Sequence, residues 1–157
     1  MLPELGQFAL ILAAVVALVQ GTLPLVGTFM RVTSWQVTLQ SLARPAAALQ
    51  FFLVAVSFAA LAASFLNNDF SVVYVAQHSN SLLPKPYQFA AVWGGHEGSL
   101  LLWVLLLTLW SVAVAVFSRS LPLDMVARVL GVLGLVSVGF LAFILTTSNP
   151  FERLLPA

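Results

Sequence analysis

The chain has 157 residues, of which 61% are hydrophobic and only 7% are charged. Its mean hydropathy is +1.05. A soluble domain of this length would carry far more charge, so the composition indicates an integral membrane protein in contact with a lipid bilayer. The absence of cysteine excludes disulfides and Cys-ligated metals, and a net charge of +1 leaves no basic surface for nucleic acid.

Four stretches without acidic or basic residues are long enough to cross a bilayer, which needs roughly 20 apolar residues. Backbone amides in hydrocarbon must pair within their own segment, so each stretch is predicted to be an α-helix. The predicted fold is therefore an all-α integral membrane domain at 1–157, with four transmembrane helices and no sheet. The predicted spans are residues 5–30, 45–67, 98–118 and 129–148.

The basic residues predict the orientation of these helices. Under the positive-inside rule, short connections rich in Lys and Arg face the cytoplasm. The N-terminus, the loop at 67–98 and the C-terminus are then predicted to lie outside. Four of the six basic residues flank the connections after the first and third spans, namely Arg31, Arg44, Arg119 and Arg128.

The span interiors carry no ionisable side chain. Ion and proton pathways normally need intramembrane acids, bases or histidines, so a transport or proton-channel subunit is a disfavoured alternative. Small residues at helical spacing instead predict close helix packing, and two tryptophans on one face of the third span predict core packing, with stacking on a flat cofactor as the alternative. The polar groups are Gln20, Ser57, Ser64, Thr108, Ser111 and Ser137; the small residues are Ala55, Ala59, Ala63, Ala60, Ser64, Gly131 and Gly134; the tryptophans are Trp103 and Trp110.

The outer loop at 67–98 is predicted to form an ordered cap on the membrane surface. Pro84 and Pro86 punctuate it, and its aromatic residues are of the types that favour the headgroup zone. A short interfacial helix is expected at about 86–93, with Pro near its start and Gly94-Gly95 as its stop.

The outer end of the third span is the candidate site, and its residues leave two interpretations open. In the structural interpretation, Ser99 caps the helix and Glu97 lies near the positive end of the helix dipole. In the functional one, His96 is a metal ligand, a haem ligand or a proton acceptor. A single His-Glu pair favours the structural interpretation. His78 has no neighbouring ligand type and is predicted to be an ordinary loop residue.

Five motifs stand out between residues 68 and 151: NDFSVVYVA at 68–76, SN at 79–80, WGGHEGSLLLW at 93–103, ARVL at 127–130 and TSNPF at 147–151. In this order and spacing they closely resemble the N-terminal region of the CcmF family, the haem lyases of System I cytochrome c maturation. The resemblance runs along the whole chain.

The resemblance implies the N-terminal part of a larger helical bundle in the bacterial inner membrane, with periplasmic termini. Members of this family take haem from the haem chaperone CcmE. With CcmH-type subunits that present reduced apocytochrome c, they promote covalent thioether attachment of the haem. The family also implies a haem b in the complete protein.

The haem-ligand histidines of the family belong to later parts of its sequence, and this chain ends at Pro156-Ala157. No haem, no catalytic residue and no metal site are therefore expected for this chain alone, which would need the missing C-terminal part to be active. Trp93, His96 and Glu97 are the candidate outer surface for haem or a partner. The alternative is a structural assembly subunit without chemistry of its own.

Overall fold

The structure is a computed structural model that describes residues 1–30 and 34–154. Arg31, on which the predicted orientation partly depends, and the chain end at Pro156-Ala157 lie outside the described residues. The described part is helical, and its only strand-like feature is a single bridge between Val72 and Arg153. Its helices are α1 (Leu2–Phe29), α2 (Ser34–Ser41), α3 (Ala43–Leu66), α4 (Val73–His78), α5 (Lys85–Ala91), α6 (His96–Phe117) and α7 (Leu123–Thr147).

Four helical stretches are long and apolar enough to cross a membrane: α1, α3 together with the preceding α2, α6, and α7. The prediction of an all-α membrane fold with four spans is thereby confirmed. The helices extend past the predicted spans, since α6 begins at His96 and α7 at Leu123. A charged residue ends an apolar window but need not end a helix. In α7, Asp124 and Arg128 form an ion pair of 3.0 Å one turn apart, which supports the helix where the apolar window had not yet begun.

The connection between the first two spans contains a helix that the sequence did not predict. In α2, the amide Nε2 of Gln40 donates to the carbonyl oxygen of Gly27 at 3.3 Å and to the carboxylate of Asp124 at 3.2 Å. These bonds join α2 to α1 and to the start of α7. In the segment SWQVTLQS the apolar residues alternate with polar ones instead of recurring at helical spacing, so the local pattern does not predict a helix.

The bundle is built on α1, which packs against both α3 and α7, while α6 packs against α3 and α7. A Cβ at Gly134 would lie 2.7 Å from the backbone nitrogen of Gly21, so these two glycines let α1 and α7 approach closely. Gln20 adds a bond of 2.8 Å from its Nε2 to the carbonyl oxygen of Leu130. Packing is thus confirmed for Gly134.

The other small residues divide between the bundle interior and its surface. Gly131 packs against Leu25, and Ala60 and Ser64 are buried as predicted. Ala59, however, is exposed, and Ala55 and Ala63 are only half-buried, so the prediction that this stripe packs inside the bundle was wrong. The buried face of α3 contains Ser57, Ala60 and Ser64. The alanines at 55, 59 and 63 lie next to this face on the helix surface.

Trp103 and Trp110 lie on the outer face of α6, with 61% and 68% of their surfaces exposed. The prediction of core packing was wrong for both. The buried face of α6 instead follows a row at helical spacing that is rotated away from the tryptophans: Gly98, Leu101, Val104, Thr108, Ser111 and Ala115.

The predicted outer cap forms at the end of the bundle that holds Met1, the 67–95 loop and the residues after α7. The predicted short helix is present as α5, although it ends at Ala91 and is joined by the unpredicted α4. The backbone nitrogen of Val73 donates to the carbonyl oxygen of Glu152 at 2.9 Å. Arg153 forms ion pairs with Glu4 and, at 3.9 Å, with Asp69, so the ends of the described chain close over the loop.

Candidate functional site

The WGGHEG segment forms the turn that leads into α6. Gly95 is the N-cap in an extended conformation, with φ −114° and ψ 177°, and the helix begins at His96. The predicted Ser99 cap was therefore wrong, because the helix starts three residues earlier than a cap at Ser99 requires. The Ser99 hydroxyl instead donates to the carbonyl oxygen of Trp93 at 2.7 Å and holds the turn against the first turn of α6.

The glycines of this turn are needed for its close contact with α4. A Cβ at Gly98 would overlap the carbonyl oxygen of Val92 and lie 2.7 Å from the hydroxyl of Tyr74. A Cβ at Gly95 would lie 2.7 Å from Cε2 of Tyr74 and 2.7 Å from Nε2 of His78. Any side chain at either position would push α4 away from the start of α6.

Tyr74 is the side chain around which the turn is organised, and the sequence analysis missed it. Its hydroxyl donates to the carbonyl oxygen of Val92 at 2.9 Å and accepts from the backbone nitrogen of Gly95 at 3.0 Å. Its ring packs edge-on against Phe65. Burial raises the pKa of Tyr74, and the carboxylate of Glu97 raises it further, so the hydroxyl stays protonated and able to donate.

His78 is the last residue of α4 rather than a loop residue, so that prediction was wrong. Its Nδ1 lies 3.1 Å from the carbonyl oxygen of Tyr74, and the two rings are in contact with centroids 4.6 Å apart. A carbonyl oxygen only accepts, so Nδ1 of His78 is the donor in this contact.

His96 joins the start of α6 to the end of α7. Its Nδ1 lies 2.9 Å from the hydroxyl oxygen of Ser148, and its ring packs edge-on against Phe143 with centroids 6.0 Å apart. The imidazole is exposed to the outside of the molecule. With Nδ1 engaged by Ser148, Nε2 is the atom that could meet an iron, a carboxylate or a proton.

Trp93 and Glu97 lie on either side of His96 in the sequence. The indole of Trp93 is 38% exposed and packs edge-on against Phe89, with centroids 5.1 Å apart. Glu97 is half-buried in the first turn of α6. The three candidate residues share one turn, but the polar and aromatic contacts of Trp93 run to Ser99 and Phe89, and those of His96 run to Ser148 and Phe143.

Within the described ranges, no group of three His, Cys, Asp or Glu side chains comes together as a metal site. The arrangement offers a single anchored imidazole, an aromatic plane and a carboxylate at the rim of an outer cap. Such a set can orient a flat or charged ligand and exchange a proton with it.

A family model described as "Cytochrome C assembly protein" matches residues 93–157 and thus begins at Trp93. The cytochrome c-type biogenesis protein CcmF of Pseudomonas aeruginosa is 58% identical over 156 residues, which is 99% of this chain and 23% of that protein. The resemblance to the CcmF family is confirmed. The CcmF of Escherichia coli K12 is 52% identical over 99% of this chain and 24% of its own length.

Two further comparisons agree with the CcmF relatives. The cytochrome c-type biogenesis protein NrfE of Haemophilus influenzae is 44% identical over 100% of the chain and 24% of its own length. A solved structure titled "Cytochrome c Heme Lyase CcmF" superposes with a TM-score of 0.88 at 28% identity and covers 100% of this chain and 26% of that one. The chain therefore spans about a quarter of the length of the relatives it matches.

Proposed function

We propose that this chain is the N-terminal portion of a haem lyase that acts in cytochrome c maturation. The complete assembly would take haem from a CcmE-type chaperone and promote its thioether attachment to apocytochrome c presented by CcmH-type subunits. The whole-chain similarity to CcmF proteins and the TM-score of 0.88 to a haem lyase of that name support this proposal.

The proposal places the resident haem b and its ligands in the part of CcmF-type proteins that lies beyond the region matched by this chain. An intramembrane haem needs axial ligands such as His or Met. The two histidines and Met1 lie at the end of the bundle that carries the outer cap, and Met30 and Met125 lie at the opposite ends of α1 and α7, so these residues do not fit a haem within the described spans. No activity is expected from this chain alone.

We further propose that Trp93, His96 and Glu97 line the periplasmic surface where haem is delivered. The observation that carries this is the anchored imidazole of His96, exposed on the outside of the molecule while Ser148 engages its Nδ1. An imidazole ligand usually has its other nitrogen held in this way. Haem enters here as a substrate, and the indole of Trp93 would supply a flat surface for its ring.

The test is a paired measurement on His96→Ala and Trp93→Ala. If these residues meet haem, the chaperone or the apocytochrome, each variant lowers holocytochrome c in a haem stain while an immunoblot shows unchanged membrane levels of this chain. Tyr87→Ala is the matched control, because Tyr87 is an exposed aromatic of the same cap, on α5. Normal yield in both variants, or yield that falls only in step with protein level, would contradict the proposal.

A structural assembly role is the second candidate, and the contacts of His96 favour it specifically. The bond to Ser148 and the ring contact with Phe143 tie α6 to the end of α7. If this is the whole role of His96, then His96→Ala lowers the amount of protein and the holocytochrome yield together.

A further inference from the structure

The buried core of the four-span unit contains two apolar clusters that lie one beyond the other along the bundle. We call the cluster on the side of the outer cap the outer cluster and the other the inner cluster. Along α3, α6 and α7 the buried face passes from one cluster to the other. The outer cluster includes Leu10, Ala17, Val54, Leu61, Val104 and Leu141, and the inner cluster includes Ala43, Ala47, Ala115, Val126 and Leu130.

On α1 and α3, a buried glutamine lies where the outer cluster ends. Gln50 stands between Ala47 of the inner cluster and Val54 of the outer cluster. On α1, Gln20 comes one turn after Ala17, which belongs to the outer cluster. Both glutamines are fully buried, with 0% of their surfaces exposed, so their amides lie inside the bundle and not at the lipid surface.

Hydroxyl side chains occupy the same level on α6 and α7. On α6, Thr108 and Ser111 separate Val104 of the outer cluster from Ala115 of the inner cluster. On α7, Ser137 lies between the two clusters. All three hydroxyl residues are fully buried. The four spans thus contribute to one polar layer, which we define as Gln20, Gln50, Thr108, Ser111 and Ser137.

Most donors of the polar layer are already used within the bundle. The hydroxyls of Ser111 and Ser137 donate to carbonyl oxygens of their own helices at 3.2 and 2.9 Å, and that of Thr108 does so at 2.9 Å. A hydroxyl that donates in this way can still accept a hydrogen bond. Gln20 uses its Nε2 in the bond to Leu130, while its Oε1 has no partner among residues 1–30 and 34–154. The layer therefore offers mainly acceptors.

Gln50 has no hydrogen-bond partner for either atom of its amide in the part of the chain that the structure describes. The contact of Gly6 with Ala60 sets the antiparallel register of α1 and α3, and this register brings Ala17 to the level of Gln50. A methyl group neither donates nor accepts. An unpaired amide is costly to bury, above all inside a membrane. The amide of Gln50 thus requires a partner that can accept from its nitrogen and donate to its oxygen.

We propose that the polar layer binds internal water, with the amide of Gln50 as the principal ligand of that water. Water both accepts and donates, so it can accept from Nε2 of Gln50 and donate to the acceptors that the layer offers. Buried water typically makes about three hydrogen bonds to polar groups that are otherwise unpaired. All five side chains of the layer are neutral, which favours an uncharged ligand.

Hydroxyl-radical footprinting of the complete assembly in native membranes tests the inference. X-ray pulses split water where it is bound, so internal water oxidises the side chains that it touches although bulk solvent does not reach them. Val54 is fully buried one turn from Gln50, and Leu61 is equally buried within the outer cluster. Mass spectrometry is expected to find oxidised Val54 and unmodified Leu61, with the exposed Tyr87 oxidised as the control for dose. Equal modification of Val54 and Leu61, or of neither, would overturn the inference.

Gln50→Met provides the second arm, because the methionine has nearly the same shape but cannot hold water. The oxidation of Val54 is expected to fall to the level of Leu61, and the melting temperature of the assembly is expected to fall because the layer loses the hydrogen bonds of the water. In a dry layer, the same change would remove an unpaired buried amide and raise the melting temperature. An unchanged or higher melting temperature would therefore contradict the proposal.

Gln77→Met is the matched control, because Gln77 is an exposed glutamine on α4. This variant is expected to keep both the oxidation of Val54 and the melting temperature of the wild type. The footprint of the wild type needs no variant and decides the question even where Gln50→Met fails to fold. Neither readout depends on haem attachment, so the inference can fail or stand apart from the proposed function.

Discussion

Tyr74 organises the geometry of the candidate site, although the sequence analysis assigned it no role beyond its place in the motif at 68–76. Its hydroxyl bonds to residues 18 and 21 positions away, at Val92 and Gly95. Such partners cannot be identified from one sequence, because nothing in the local pattern relates α4 to the turn before α6. The glycines of that turn were visible in the sequence, but the side chain that requires them was not.

Tyr74→Phe is expected to destabilise the outer cap. The ring contact with Phe65 is kept, while the buried carbonyl of Val92 and the amide of Gly95 lose their partner, at a cost of about 1–3 kcal/mol. The measurement is thermal unfolding of the detergent-solubilised protein, with Tyr87→Phe as the exposed control.

The raised pKa of Tyr74 adds a pH dependence to the same experiment. The folded state holds the proton more tightly than the unfolded chain, whose tyrosine has a pKa of 10.0. The Tyr74 contribution to stability is thus complete below pH 10 and declines above it. Tyr74→Phe should lack this decline. Equal stability of wild type and variant at neutral pH would refute the claim that the hydroxyl of Tyr74 stabilises the outer cap.

The position of the candidate residues was predictable from the sequence, but their contacts were not. These residues are Trp93, His96 and Glu97. The sequence placed them at the start of a helix, and they do lie in the turn and first turn of α6. The Ser99 cap failed because the helix begins at His96, before the charge that ended the apolar window. The partner of His96, Ser148, is 52 residues away, which puts it beyond any local pattern.

At the scale of elements, the long spans and the short helix α5 were predictable, whereas the short helices α2 and α4 were not. Apolar length alone identifies α1, α3, α6 and α7, since hydrocarbon leaves the backbone no alternative to a helix. In α2 and α4 the helical state depends on contacts such as Gln40 with Gly27. Which face of a helix is buried depends on the neighbouring helices and not on the local sequence. For this reason Ala59 and Trp103 were predicted to be buried, although both are exposed.

The orientation of the helices is open to a direct prediction. The described chain brings Met1, the outer cap and Arg153 to one end, whereas Arg44 and Arg128 lie towards the other. The positive-inside rule therefore places the outer cap in the periplasm.

Cysteine labelling of intact cells tests this orientation, because the native chain contains no cysteine. Gln77→Cys in α4 is expected to react with an impermeant maleimide from outside, and Thr38→Cys in α2 only after the inner membrane is opened; both positions are exposed. The reverse pattern would invert the topology and remove the candidate site from the periplasmic surface.

At the scale of the whole molecule, the chain is a four-span unit with a closed outer cap and an open apolar side. The cap orders the residues around His96, while Trp103 and Trp110 leave one apolar face of α6 exposed. This division agrees with a chain that matches about a quarter of each CcmF relative. The haem ligands are proposed to lie in the part of CcmF-type proteins that this chain does not match.

The central claim is that this chain serves as the N-terminal portion of a haem lyase. It is tested most directly by replacing the matching segment of Escherichia coli CcmF, 52% identical over 156 residues, with residues 1–157 in a strain that lacks its own CcmF. The account predicts that the chimera restores covalently bound haem in a c-type cytochrome, measured by haem stain. A chimera that reaches wild-type membrane levels with its remaining partners bound, yet yields no holocytochrome c, would contradict it.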